Sequence, residues 1–155
     1  VIKSFSESNN KDLLLVFLGD GYKRSNYVNL VNKLNIGKRV FFLGLKKNPY
    51  KYMALSKALI VSSDYEGMPN VILQAMVCKT QIISSNCSFG PAEILENGKF
   101  GYLYPVGHLK KLTELIDLVT INKKFKYYNK EKINIFDNKK TLKDFNINIK
   151  KLLRK

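Results

Sequence analysis

The chain is 155 residues long, 45% hydrophobic and 25% charged, with 27 Lys/Arg against 12 Asp/Glu and a formal net charge of +15. That length and apolar content suit a domain with its own core and exclude a disordered chain. No apolar run approaches the roughly 18 residues of a membrane-spanning helix, and the opening VIKSFSESNNKD has no secretory signal pattern, so a cytoplasmic protein is expected.

Taken in order, five short apolar runs read as strands, at 13–18, 40–43, 59–62, 81–84 and 101–104. The central three are near-continuous Leu, Ile, Val and Phe, the composition of parallel strands covered on both faces. Between the first two, Tyr27, Leu30, Val31 and Leu34 repeat at helical spacing and form an apolar stripe. A shorter helix is expected over 49–56, with Pro49 in its first turn. Asn70 is placed to cap the run VILQAMVC. Pro91 opens AEILEN, which Gly98 closes. Leu109, Leu112, Leu115, Ile116 and Val119 mark a further amphipathic helix. Strands separated by single helices predict an α/β fold with a doubly wound, Rossmann-like parallel sheet. Cys78 and Cys87 are expected as reduced thiols.

Beyond 122 the periodicity weakens, although a helix is expected over 142–153. The sequence therefore divides into a domain at 1–122 and a basic extension at 123–155. That extension holds 12 Lys/Arg against 3 Asp/Glu, an excess of nine positive charges. Such a tail is either a solvated lysine-rich surface or a contact for an anionic partner, and the inner face of the cell membrane is the anionic surface it would meet. Scattered lysines without a nucleic-acid fold signature point away from DNA or RNA.

Ligands of doubly wound sheets sit beyond the carboxyl ends of the strands, where this chain gathers its unusual residues. Gly19-Asp20-Gly21 follows the first strand, with Lys23 and Arg24 either reaching a phosphate or lying simply at the surface. The full G-x-G-x-x-G fingerprint is absent, and a tight turn alone would also explain the glycines. The stretch SSDYEGMPNVILQAM, 62–76, is more informative. Gly67 permits close backbone approach, Pro69 stiffens the turn, and amides near Asn70 and Val71 lie at a helix start, where phosphate binds. Glu66 could cap that helix, or accept hydrogen bonds from ligand hydroxyls beside the phosphate. Gln74 is a polar amide in an apolar run, which calls for a partner in the ligand or in the core. Glu93 either stabilises its helix terminus, which is a sufficient role, or contacts a ligand. His108, the single histidine, lacks partners for metal or triad chemistry, and no metal is expected.

Three ordered pieces resemble the C-terminal, nucleotide-sugar-binding half of GT-B glycosyltransferases of family 4, the glycosyltransferases group 1. They are LLLVFLGDGYKR, the run from VFFLGLKKNPY through SSDYEGMPNVILQAMVCKTQIISS, and GPAEILENGKFGYLYPVG. The resemblance implies a donor site lined by two acidic residues with seven residues between them. Glu66 matches the first, the catalytic position that contacts hydroxyls of the transferred sugar. Gln74 stands where the family uses Glu to hold the ribose. The amides of Gly67, Met68, Pro69-Asn70 and Val71 would hold the diphosphate, Gly44 and Leu45 would border the base, and Gly19, Gly21 and Lys23 complete the expected donor-binding set.

The resemblance further implies retaining transfer of a hexose or N-acetylhexosamine from a nucleotide-diphosphate sugar, UDP-linked, to a lipid-linked or cell-surface glycan precursor. No tightly bound cofactor is implied. Family members carry an N-terminal acceptor domain, then a strand and loop with an Arg and a Lys that grip the donor pyrophosphate. VIKSF resembles the helix after that loop, so the sheet is expected to lack its first strand and the chain alone to be inactive. The alternatives are a non-catalytic nucleotide-sugar-binding module and a nucleotide-sugar epimerase of GT-B architecture.

Overall fold

A computed structural model describes residues 1–121; the basic extension and its expected helix lie outside the described residues. Helices and strands alternate as α1 (Ile2–Glu7), β1 (Leu15–Phe17), α2 (Arg24–Lys33), β2 (Val40–Phe42), α3 (Tyr50–Leu55), β3 (Ala58–Val61), α4 (Asn70–Val77), β4 (Gln81–Ser85), α5 (Pro91–Ile94), β5 (Tyr102–Tyr104) and α6 (Leu109–Ile121). All five expected strands are present and, among the described residues, every ladder is parallel. The fold is the α/β Rossmann-like one the sequence predicts.

The ladders fall into two groups. β1 pairs with β2, with Leu15 opposite Val40 and Phe17 opposite Phe42. β3, β4 and β5 form a second sheet in that order. Among the described residues no ladder joins β1 to β3.

Two apolar clusters pack on opposite faces. On one, α1, α2 and α6 bring Ile2, Phe5, Val31, Leu112 and Ile116 against Val40, Ile83 and Tyr104, so this cluster serves both sheets. On the other, Ile72, Ala75 and Met76 of α4 and Ile94 of α5 pack with Leu95, Phe100, Val61 and Ile82. The neighbours Ile82 and Ile83 enter different clusters because successive strand residues point to opposite faces. Burying two such side chains stabilises the fold by about 1.5–3 kcal/mol each.

Among the described strands only β4 is buried at every position. β2 and β3 were expected to be covered on both faces, but Phe41 is 41% exposed, as is Val16 of β1 at 42%. The reason is the helix distribution: the second cluster covers β3–β5 and leaves the matching face of β1 and β2 open.

The helices follow their stripes with local differences. In α2, Val31 is buried and Leu30 and Leu34 pack beside it, while Tyr27 stays partly exposed against Phe17 at 6.3 Å between ring centroids. Pro49 stands at the N-cap of α3 rather than within its first turn. α5 ends at Ile94, short of Gly98, because Glu96 and Asn97 adopt positive φ of 45° and 51° that break the helix. α1 is held on α6: Ser8 Oγ donates to Asp117 Oδ1 at 2.5 Å and Ser4 Oγ to the Leu109 carbonyl at 3.1 Å. Arg39 lies 4.5 Å from the Phe5 ring centroid and donates to the carbonyls of Leu13 and Asn10, fixing the passage from α1 to β1.

Candidate functional site

The turn after β3 is anchored from two neighbouring strands. Ser85 Oγ, at the end of β4, donates to the Ser63 carbonyl at 2.6 Å. The Tyr104 hydroxyl, at the end of β5, donates to the Val61 carbonyl at 3.4 Å. From this fixed base Ser63 Oγ donates to Glu66 Oε1 at 2.5 Å. Glu66 is half-buried, and the Ser63 bond orients the carboxylate while leaving its other oxygen to accept from a ligand. Burial, and then the nearby Asp64 carboxylate, push the Tyr104 hydroxyl from its ordinary 10.0 up to about 12.

The β4–α5 loop closes on the same turn. Gly90 has φ +86°, and a Cβ there would stand 2.5 Å from Pro69 Cδ and 2.8 Å from the Gly67 carbonyl oxygen. A side chain at 90 would displace the turn, so glycine is required by the close approach as well as by the left-handed backbone. Gly67 and Met68 are exposed at the apex, and Pro69 is buried beneath them.

The start of α4 differs from expectation. Pro69, not Asn70, occupies the N-cap, and no side chain caps the helix. The Asn70 amide, expected to be a free donor, gives its hydrogen to the Met68 carbonyl at 2.8 Å, and Ile72 N–H donates to the Pro69 carbonyl at 2.9 Å. The proline keeps the chain extended until 69, so the first turn tightens around it and Asn70 becomes the first helical residue. Val71 N–H closes no such turn and remains available at the positive end of the helix. Gln74, one turn further, is half-buried.

The remaining expected residues form a second group on the other sheet. Gly19 N–H donates to the Gly44 carbonyl at 2.9 Å, and both glycines have positive φ, 108° and 67°. Gly21 accepts Arg24 N–H into its carbonyl, and its own N–H donates to Asp20 Oδ1. Arg24 ties this turn to β2 by donating to the Phe42 carbonyl at 3.2 Å and pairing with Asp20 at 3.4 Å. Lys23 stays exposed with its ammonium 5.6 Å from the Tyr22 ring centroid, and Leu45 is 83% exposed. The structure thus gathers Gly19, Gly21, Gly44 and Leu45 together, and Glu66 to Val71 together with Gly90, at the carboxyl edges of two sheets.

Ser63, Ser85, Gly90 and Tyr104 were not read as site residues. Gly90 had a signal, its place before Pro91 at a strand end, and Ser63 lies within the 62–76 stretch; Ser85 and Tyr104 had none. Glu93 is exposed in the first turn of α5. His108 Nδ1 accepts the Lys111 N–H at 3.1 Å at the start of α6. Both cysteines are free thiols. Among the described residues no three His, Cys, Asp or Glu side chains converge to hold a metal, and no helix is long and apolar enough to cross a membrane.

A fixed carboxylate beside a helix-start amide can bind hydroxyls and an anionic group together. Residues 1–136 match the family described as Glycosyl transferases group 1. Over 97 residues the chain is 38% identical to an uncharacterized glycosyltransferase of Methanocaldococcus jannaschii, covering 61% of this chain and 24% of that protein. It is 29% identical over 137 residues to an N-acetylgalactosamine-N,N'-diacetylbacillosaminyl-diphospho-undecaprenol 4-alpha-N-acetylgalactosaminyltransferase of Campylobacter jejuni, covering 86% of this chain and 38% of that one. The chain therefore spans well under half the length of these relatives. Among solved structures it resembles the lipopolysaccharide outer core galactosyltransferase WaaB, at TM-score 0.73 and 23% identity over 92% of this chain and 44% of that one. It also resembles the pneumococcal O-GlcNAc transferase GtfA in complex with UDP and GlcNAc, at TM-score 0.79 and 16% identity over 100% of this chain and 32% of that one. These likenesses establish a fold of GT-B glycosyltransferase type.

Proposed function

We propose, since this chain belongs to the glycosyl transferases group 1 family, that it is the C-terminal, donor-binding half of a GT-B glycosyltransferase. The complete enzyme moves a hexose or N-acetylhexosamine from a UDP-sugar to a lipid-linked or cell-surface glycan precursor, with retention of configuration. The observation that carries this reading is the Glu66 carboxylate, fixed by Ser63 at 2.5 Å in a turn that runs directly into α4.

In this reading the Val71 amide and the positive end of α4 hold the donor diphosphate, Glu66 accepts from hydroxyls of the sugar, and Gln74 accepts from the ribose. Gly44 and Leu45 border the base, and Gly19, Gly21 and Lys23 flank the phosphates. Transfer breaks the bond between the anomeric carbon and the diphosphate oxygen, forms one to the acceptor oxygen, and passes the acceptor proton to the departing phosphate. Fixed amides stabilise the charge that grows on that phosphate, as an oxyanion hole does. Acceptor binding belongs to a separate N-terminal domain, so residues 1–155 bind donor without turning it over. Support comes from the names of similar proteins: the Campylobacter relative is named as acting on an undecaprenol-linked glycan, and three structural neighbours are described with UDP.

Titration calorimetry with UDP, GDP and ADP tests the reading. UDP is expected to bind most tightly, with Glu66→Ala weakening the UDP-sugar more than UDP itself. Equal affinities for the three nucleotides would remove the donor site. The basic extension is proposed to rest on anionic membrane at the inner face; neutralising its lysines should then abolish partitioning onto phosphatidylserine-containing vesicles.

A further inference from the structure

Phe89 stands on a loop that is fixed at both ends. Asn86 N–H donates to the Tyr104 carbonyl at 2.7 Å, which fastens the start of the β4–α5 loop to the end of β5. Cys87 is buried, and its thiol donates to the Phe89 carbonyl at 3.9 Å. On the other side Gly90 presses on Pro69 and on the Gly67 carbonyl oxygen, and Pro91 is buried at the start of α5. Between these anchors Phe89 is itself 64% exposed.

A single exposed apolar residue needs no explanation. The surroundings of this one are particular. Tyr65 and Met68 are also exposed, in the turn that carries Glu66, and Phe89 adjoins the glycine that presses on that turn. Tyr65 and Met68 belong to the same stretch of chain as the carboxylate, whereas Phe89 comes to it from another loop. Leaving a phenylalanine in water forgoes the stabilisation that burial would bring. A rigid aromatic presented on a fixed backbone loses little conformational freedom when a ligand covers it.

A hexose ring has two kinds of surface. Its hydroxyls form the rim and take hydrogen bonds, while its C–H bonds form apolar patches on the faces. An aromatic face carries partial negative charge and meets such hydrogens favourably. Glu66 serves the rim, and no residue assigned above serves a face. We infer that Phe89 does so, stacking on the transferred sugar and selecting its configuration; the inference rests on the donor reading of the Glu66 turn. Selection follows from how the hydrogens are arranged. In glucose the ring hydrogens alternate between the two faces. An axial 4-hydroxyl, as in galactose, gathers the hydrogens of the third, fourth and fifth carbons on one face. That continuous patch is what a phenyl ring covers, so the galacto configuration is favoured over the gluco.

Titration calorimetry of residues 1–155 with UDP, UDP-galactose and UDP-glucose tests this, in the unaltered chain and in Phe89→Leu and Phe89→Tyr. Leucine keeps an apolar side chain and removes the ring. UDP-galactose is then expected to bind about tenfold more weakly, UDP-glucose about twofold, with UDP unchanged. Tyrosine keeps the ring and should retain all three affinities. Leu55→Ala, which removes an exposed side chain at the end of α3, should alter none of them. Equal losses for UDP and UDP-galactose would move Phe89 to the nucleotide and overturn the inference. Equal losses for the two sugars, or full affinity in Phe89→Leu, would overturn it as well. Each of these outcomes leaves the donor reading standing, because UDP still binds. Failure of UDP to bind the unaltered chain sinks the donor reading, and this inference with it.

Discussion

Gly90 and Pro69 approach so closely that a Cβ on the glycine would lie 2.5 Å from the proline ring. The contact clamps the Glu66 turn between β3 and the β4–α5 loop. Gly90→Ala combines this overlap with a φ of +86°, and the two effects together should cost about 2–4 kcal/mol. Urea denaturation measures it. A loss below about 0.5 kcal/mol would mean that the turn moves freely and that the clamp does not set the site.

Ser63 should matter to the sugar and not to the nucleotide. Its hydroxyl holds Glu66 at 2.5 Å, and a charge-assisted hydrogen bond at a half-exposed position contributes about 1 kcal/mol. Ser63→Ala is therefore expected to weaken UDP-sugar binding about fivefold while leaving UDP unaltered. Equal losses for both ligands would place Glu66 away from the sugar.

Gln74 offers a gain rather than a loss. Replacing a neutral acceptor by a carboxylate strengthens a hydrogen bond to a ribose hydroxyl by about 1 kcal/mol. Gln74→Glu should raise affinity for UDP about fivefold and leave affinity for inorganic diphosphate unchanged. No change for UDP would remove position 74 from the ribose.

Tyr104 predicts an alkaline limit to stability. Its hydroxyl ionises at about 12 in the folded chain against 10.0 ordinarily, because burial and then Asp64 disfavour the phenolate. A folded value raised above the unfolded one gives stabilisation that is complete below pH 10 and lost as pH rises from 10 to about 12. Tyr104→Phe should flatten the fall in melting temperature across that window, at the cost of the bond to the Val61 carbonyl. A parallel fall in both proteins would assign the alkaline transition to other groups.

Much of this chain was legible in its residues alone, because strand and helix periodicity are local properties carried by spacing. The five strands, the α2 and α6 stripes and the placement of Glu66 in a turn entering α4 all follow from neighbours within a few positions. Tertiary structure alone decided what acts over distance. Ser85 reaches Ser63 across 22 residues and Tyr104 reaches Val61 across 43, contacts that no local pattern encodes. It also decided that the Asn70 amide is spent on Met68, that Gly90 presses on Pro69, and that the ladders divide between β1 and β3. Each depends on which edges meet, and a polypeptide's spacing specifies the faces of its elements but not their partners.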